Sequence, residues 1–326
     1  MLAKLFTTYF WIPAYGMFAL GLIAPGDYSA MGWAIPLFLC GILYCSCLKI
    51  SLAEARGAFG ARTLAQVSVM TPMRLVALPL ITFGITWVIA PEWAPGVFLA
   101  SMMPAGFSTV AFTDLYRGNR MLALVVLLVT SAVCPFTVPP LLDWLGEGDA
   151  RIAWSDIAPR SAYLLALLAI PFAAAQATRA MAPDFVQRHH ARWNLGAFIS
   201  SCILGFFSVA VNRGGWTGLQ WSDAIAPFAL GCLAVAICIA ASLIALAAMR
   251  RSDAIAFGCG NIYPNGGLAV AFATQFFPGD ARMLLPSLLM QAPIIAGISA
   301  YGWWLRRGAL ARDTDTGTGT EDPKRA

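Results

Sequence analysis

The sequence predicts an all-α membrane protein of about ten transmembrane helices, and three observations carry that prediction. Of 326 residues, 59% are hydrophobic and only 11% charged, whereas a soluble domain carries about 25% charged residues. The apolar residues come in runs close to the ~20 residues that a helix needs to cross a bilayer. Basic residues gather in every second connector between those runs. A mean hydropathy of +0.72 would demand a very large core in water, so lipid is the simpler solvent.

Reading along the chain, helices are expected at roughly 5–24, 30–48, 63–90, 94–116, 120–142, 160–179, 192–212, 222–249, 253–277 and 282–305. Gly and Pro punctuate the connectors, as in Pro25-Gly26-Asp27, Pro91-Glu92-Trp93 and Pro278-Gly279-Asp280. Residues 1–142 then form a first five-helix unit, 143–159 an external connector, and 160–305 a second five-helix unit. Residues 306–326, with the Thr/Gly run from Thr314, are expected to be a disordered tail. The first helix follows only Lys4 and has no small-residue cleavage site, so it is expected to stay as an anchor.

Ten spans place alternate connectors on opposite sides, and the basic residues test that arrangement. One side receives Lys4, Lys49, Arg56, Arg62, Arg117, Arg120, Arg179, Arg188, Arg192, Arg250, Arg251, Arg306, Arg307, Arg312, Lys324 and Arg325, sixteen of the 21 Lys and Arg. The other receives Arg151, Arg160, Arg213 and Arg282, and Arg74 lies within a span. The positive-inside rule puts both termini in the cytoplasm of a multi-pass protein of the cell (inner) membrane. Most tryptophans, among them Trp33, Trp144 and Trp303, fall near expected span ends, as an interfacial belt requires.

Two stretches resemble each other. Phe112-Thr-Asp-Leu-Tyr-Arg-Gly-Asn-Arg-Met-Leu joins helices four and five, and Phe272-Ala-Thr-Gln-Phe-Phe-Pro-Gly-Asp-Ala-Arg-Met-Leu joins helices nine and ten. The copies lie five helices apart, an odd number, which makes them an inverted repeat. Each is preceded by helix-breaking residues: Met103-Pro104-Ala105-Gly106-Phe107-Ser108-Thr109 in helix four, and Gly258-Cys-Gly-Asn-Ile-Tyr-Pro-Asn-Gly-Gly267 in helix nine. Proline removes a backbone donor and glycine stabilises a helix least. The freed N–H and C=O groups cannot face lipid and must be buried or line a cavity. Paired breaks in corresponding halves point to a transport site at mid-membrane; the competing reading is a pair of simple proline kinks.

At these residues the chain resembles the bile acid/sodium symporter superfamily, which also includes arsenite exporters. Pro104-Ala-Gly106 with Arg117-Gly118-Asn119 is similar to the family's fourth helix, Asn265-Gly-Gly-Leu-Ala-Val-Ala-Phe-Ala to its ninth, and Ile35-Pro-Leu-Phe-Leu-Cys-Gly to its second. The resemblance implies two inverted five-helix repeats, a panel and a core domain, and broken helices four and nine crossing near the substrate and cation sites. The chain departs from the sodium-coupled members at those sites. The family's helix-nine Glu falls on Gly260, its preceding Gln on Pro264, and its helix-four Ser-Asn pair on Thr109 and Val110.

The expected function is secondary transport of a small organic anion by alternating access, with an arsenite-type exporter or a non-transporting membrane sensor as alternatives. Substrate-binding candidates are Arg74, Pro104, Gly106, Ser108, Thr109, Asn261, Pro264 and Asn265. A charge deep in a span is costly and marks a functional site or a buried pair, so Arg74 either attracts the anion or pairs with crossover carbonyls or Asp114. Candidates for a coupled Na+ or H+ are Gln66, Thr109, Thr113, Asn261 and Gln291. No other cofactor, metal or nucleic-acid partner is expected. The eight cysteines show no CxxC spacing and read as small apolar fillers. No Gly-x-x-x-x-Gly-Lys suggests ATP drive, and no paired acidic or HExxH pattern suggests an intramembrane enzyme. His189 and His190 fall in a cytoplasmic connector and read as solvated.

Overall fold

A computed structural model describes residues 11–50, 57, 59–145, 154–216 and 221–315, and those residues are helical with short connections. The first helices are α1 (Trp11–Ile23) and α2 (Ala34–Cys47). Next come α3 (Ala61–Pro72) and α4 (Leu78–Ile89), which run through a π-helical turn at Met73–Ala77, so that one long helix carries Arg74 at a widened turn just after Pro72. The fourth expected helix is two pieces, α5 (Ala94–Ser101) and α6 (Thr109–Leu115), followed by α7 (Arg120–Leu145). Then come α8 (Trp154–Met181), α9 (Pro183–Arg188), α10 (His190–Ala210) and α11 (Ile225–Ala248). The ninth expected helix is also split, into α12 (Arg251–Ile262) and α13 (Gly266–Phe276). The chain ends on α14 (Ala281–Leu289) and α15 (Gln291–Asp315), which run on as one long span.

Among the described residues, seven helices are long and apolar enough to cross a membrane: Ser29–Cys47, Ala61–Ile89, Arg120–Leu145, Ile157–Met181, Ala191–Ala210, Ser222–Ala248 and Ala281–Arg307. The other three expected spans fall short for visible reasons. Two are interrupted at 102–108 and 263–265, and the first is described only from Trp11. Two boundaries need correction. Both described ends of the expected connector 143–159 are helical, with 146–153 outside the described residues, so Arg160 stands inside α8. The last helix covers residues 306–315 of the expected tail, while 316–326 lie outside the described residues.

The helices pack as two groups. In the first, α10 lies against α1 and α2, and α2 against α8. Side chains of α8 tie down the end of α2, where the last carbonyls of a helix lack partners. Gln176 donates to the Cys47 and Ile50 carbonyls at 3.2 and 3.1 Å, and Arg179 to the Leu48 carbonyl at 3.0 Å. The second group holds α3 to α7 and α11 to α15. There α5 packs so closely on α14 that a Cβ at Gly96 would land on the Arg282 carbonyl. The groups meet where α7 packs on α8 and where α13 touches α2 and α10.

One buried cluster locks the second group at a helix end. Asp253, 3% exposed in the first turn of α12, accepts from Asn119 Nδ2 at 2.7 Å, Gln66 Nε2 at 2.7 Å and Arg62 Nη2 at 2.8 Å. Asn119 in turn caps α7, its Oδ1 accepting from Leu122 N at 3.1 Å. Three chain segments are therefore held by one carboxylate.

Candidate functional site

Proline and glycine decide where α5 ends and α13 begins, and the two breaks meet. Gly106 N donates to the Tyr263 carbonyl at 2.7 Å, and Asn265 N donates to the Pro104 carbonyl at 2.8 Å. These bonds form a single antiparallel bridge between Ala105 and Pro264. Exchanging the two segments turns each bond into the other. Between the two bridging residues of the first break, Ala105 N reaches Thr130 Oγ1 of α7 at 3.3 Å. Interrupted helices thus satisfy each other's backbone, as an apolar surrounding demands. The approach is tight: a Cβ at Gly106 would sit 2.6 Å from Tyr263 Cδ1.

Beside this bridge lies a cavity of about 380 Å³, between the breaks and helices α2 and α10. Volumes of roughly 300–1,000 Å³ suit small-molecule sites. Its walls are largely apolar, with Leu39 and Leu43 from α2, Phe198 and Leu204 from α10, and Phe107 from the first break. The polar groups are few: Ser46, Lys49, Ser108, Asn194, Ser201, Ser208, Tyr263, Asn265 and Gln291.

Asn265 is the best-placed of the expected residues. Its Oδ1 caps α13 by accepting from Leu268 N at 3.2 Å, while its buried Nδ2 has no hydrogen-bond partner among the described residues. The α13 N-terminus, at Gly266 and Gly267, also borders the cavity and carries partial positive charge. A donor buried without a partner costs about 1–3 kcal/mol, so a solute acceptor there would recover lost energy.

The structure gathers some of the expected residues and not others. Gly106, Ser108, Pro264, Asn265 and Gln291 line the cavity, and Pro104 contributes its carbonyl to the bridge. Thr109 and Asn261 are buried beside the breaks without lining it. Arg74 does not line it either: it is 2% exposed, and Nη1 donates to the Ser101 carbonyl at 2.6 Å, at the end of α5. A guanidinium is well matched to the orphan carbonyls of a helix C-terminus. Lys49, at the end of α2, counts in the sequence only as a basic connector residue, and Asn194, inside the expected span 192–212, carries no sequence signal, yet both border the cavity.

Three of the five cation candidates are engaged in other hydrogen bonds. Gln66 is turned to Asp253, Thr113 Oγ1 donates to the Thr109 carbonyl of its own helix at 2.8 Å, and Gln291 Nε2 donates to the Ser287 carbonyl at 3.1 Å. A Cβ at Gly260 would meet only methyl groups, Val126 Cγ1 at 3.7 Å and Thr109 Cγ2 at 3.9 Å. A hard cation requires several oxygens around one point, and this arrangement does not fit a sodium ion of the family's kind.

Paired helix breaks enclosing a cavity between two helix groups define a membrane transporter. The chain belongs to the SBF-like CPA transporter family, whose sequence model matches residues 31–299. That family is related to the bile acid/sodium symporters, so the resemblance carried by Pro104-Ala-Gly106 and Asn265-Gly-Gly is to the right superfamily. No curated protein matches the chain by sequence.

Proposed function

We propose that the chain is a secondary transporter of a small organic anion that works by alternating access. The observation that carries this reading is the cavity at the bridged breaks, bordered within largely apolar walls by the α13 N-terminus and by Asn265, whose buried amide nitrogen has no partner among the described residues. Such a site suits a solute with an anionic or strongly accepting head and an apolar body.

In this reading α5–α6 and α12–α13 are the broken helices of two inverted five-helix repeats, which with the first helix makes ten crossings. The interchangeable bridge bonds support the symmetry. So do Asn119 and Asp280, each following a glycine of the repeat and capping the helix that follows: Leu122 N donates to Asn119, and Arg282 N and Met283 N to Asp280. The group of α1, α2, α8 and α10 is the panel, and the other helices form the moving core.

With both termini cytoplasmic, the mouth at Lys49 and Asn194 faces inward. The opposite end of α13 is shut against the panel. Arg160 lies 4.9 Å over the Phe276 ring and 5.4 Å from that of Phe277, Tyr163 meets Phe276 edge-on at 5.3 Å, and Asn212 donates to Thr274 Oγ1 at 3.2 Å. Breaking these contacts while closing the mouth would expose the same cavity to the outside. No step runs through sodium. The arsenite-type reading gains nothing here, since no cysteine lines the cavity.

The test is counterflow in proteoliposomes loaded with unlabelled carboxylates and sulfonates, with and without a sodium gradient. We expect accumulation of a labelled organic anion that is indifferent to sodium. Binding without any flux would instead make the protein a sensor, and sodium-dependent accumulation would overturn the uncoupled reading.

A further inference from the structure

Among the described residues, Lys49 is the only charged one bordering the cavity. It follows the end of α2, where a cation is favoured by the carbonyl-rich helix terminus. The side chain is half-buried, and Nζ donates to Asn194 Oδ1 near the start of α10. No carboxylate pairs with it among the described residues. An ammonium has three N–H donors, and Asn194 is its one acceptor among the described residues. Burial pulls its pKa below the ordinary lysine value, with the Cys45 side chain pushing weakly the other way. An anion at the mouth would relieve that cost of burial. Neighbouring Arg179 is committed to the Leu48 carbonyl and lies outside the cavity wall.

We infer that Lys49 is the residue that selects solutes by charge: its ammonium takes the carboxylate or sulfonate of an amphipathic anion at the inner mouth, with Asn194 holding it in place. The apolar body of the solute then runs along Leu43 and Phe198 toward the breaks. Arg74, sealed behind the end of α5, makes no contact with the solute. The inference rests on reading the cavity as the solute site and adds the residue that makes that site prefer anions.

The full-length protein in detergent tests this with two probes of one shape, 4-phenylbutyrate and 4-phenylbutyramide, whose binding is measured by calorimetry. Wild type should bind the carboxylate roughly tenfold or more tightly than the amide. Raising salt from about 50 mM to about 500 mM should weaken only carboxylate binding, because ions screen a partly exposed charge pair. Lys49→Gln should reduce the ratio to near one. Lys49→Arg should restore most of the preference, and Lys49→Met replaces Lys49→Gln should the latter misfold. A Lys49→Gln protein that still prefers the carboxylate overturns the inference, and so does wild-type protein that binds both probes equally, although the cavity then remains a solute site. Wild-type protein that binds neither probe rejects both the inference and the reading of the cavity.

Discussion

Asn265 donates its backbone N–H to the carbonyl of Pro104 at 2.8 Å, so two residues far apart in the chain close one helix break with another. The bond leaves the Asn265 side chain to cap α13 with its oxygen, while its nitrogen stays buried without a partner among the described residues. That division of labour can be tested one atom at a time.

Asn265→Asp keeps the capping oxygen and replaces the free donor with an anion. The variant should melt within a few degrees of wild type in detergent yet lose at least tenfold in affinity for an organic anion, from lost donation and like-charge repulsion. Asn265→Leu removes the cap as well, which costs about 1 kcal/mol. Equal anion affinity in Asn265→Asp and wild type, read by calorimetry, would separate Asn265 from the solute.

Thr130 supports the other half of the bridge. Its hydroxyl donates to the Val126 carbonyl at 2.7 Å and accepts from Ala105 N. Thr130→Val fills nearly the same space but orphans that buried N–H, at a cost of about 1–3 kcal/mol. Thr130→Ser should melt close to wild type. If Thr130→Val melts as high as Thr130→Ser, the hydroxyl contributes nothing to the bridge.

The partners of Asp253 are unequal, because Arg62 has a side chain 54% exposed while the carboxylate is 5% exposed. Arg62→Ala should cost at most about 1 kcal/mol, the usual range for a solvated ion pair. Asp253→Ala strands the Asn119 and Gln66 amides and should cost about 2–3 kcal/mol. Denaturation in detergent–urea mixtures would rank the two, and the reverse order would mean that the ion pair rather than the amide bonds holds the cluster.

Arg117 has φ +59, in the left-handed region that glycine occupies readily. It ends α6 in a Schellman arrangement, with Gly118 N donating to the Thr113 carbonyl and Arg117 N to that of Asp114. The neighbouring glycine does not take this position because it is needed for packing: a Cβ at Gly118 would lie 2.6 Å from Ile255 Cγ2. Arg117→Gly should therefore stabilise the protein by about 1 kcal/mol, whereas Gly118→Ala should destabilise it. A lower melting temperature for Arg117→Gly would show that the arginine side chain earns its strain elsewhere.

How much was legible in the sequence follows from which interactions are local. Apolar runs and the Gly/Pro content at 103–109 and 258–267 located the helices and both breaks, because helix propensity and span length are properties of neighbouring residues. The cavity-lining roles of Gly106, Ser108, Pro264 and Asn265 followed from those breaks. Arg74 was singled out correctly as a buried charge, but its partner is a carbonyl 27 residues away, which no local pattern encodes. Asp253 was not singled out at all, because its three donors come from two segments more than a hundred residues away in the chain, Arg62 and Gln66 on α3 and Asn119 before α7.

The sequence by itself determined that this is a multi-pass helical membrane protein with paired interruptions, since lipid admits only helices there and proline and glycine break them. The tertiary structure alone decided which polar groups share a cavity. It turned Gln66 toward Asp253, sealed Arg74 behind α5, and brought Lys49 and Asn194 together at the cavity mouth. The reason is physical: which side chains meet depends on how α2 and α10 lean across the breaks, and that geometry comes from packing between distant segments.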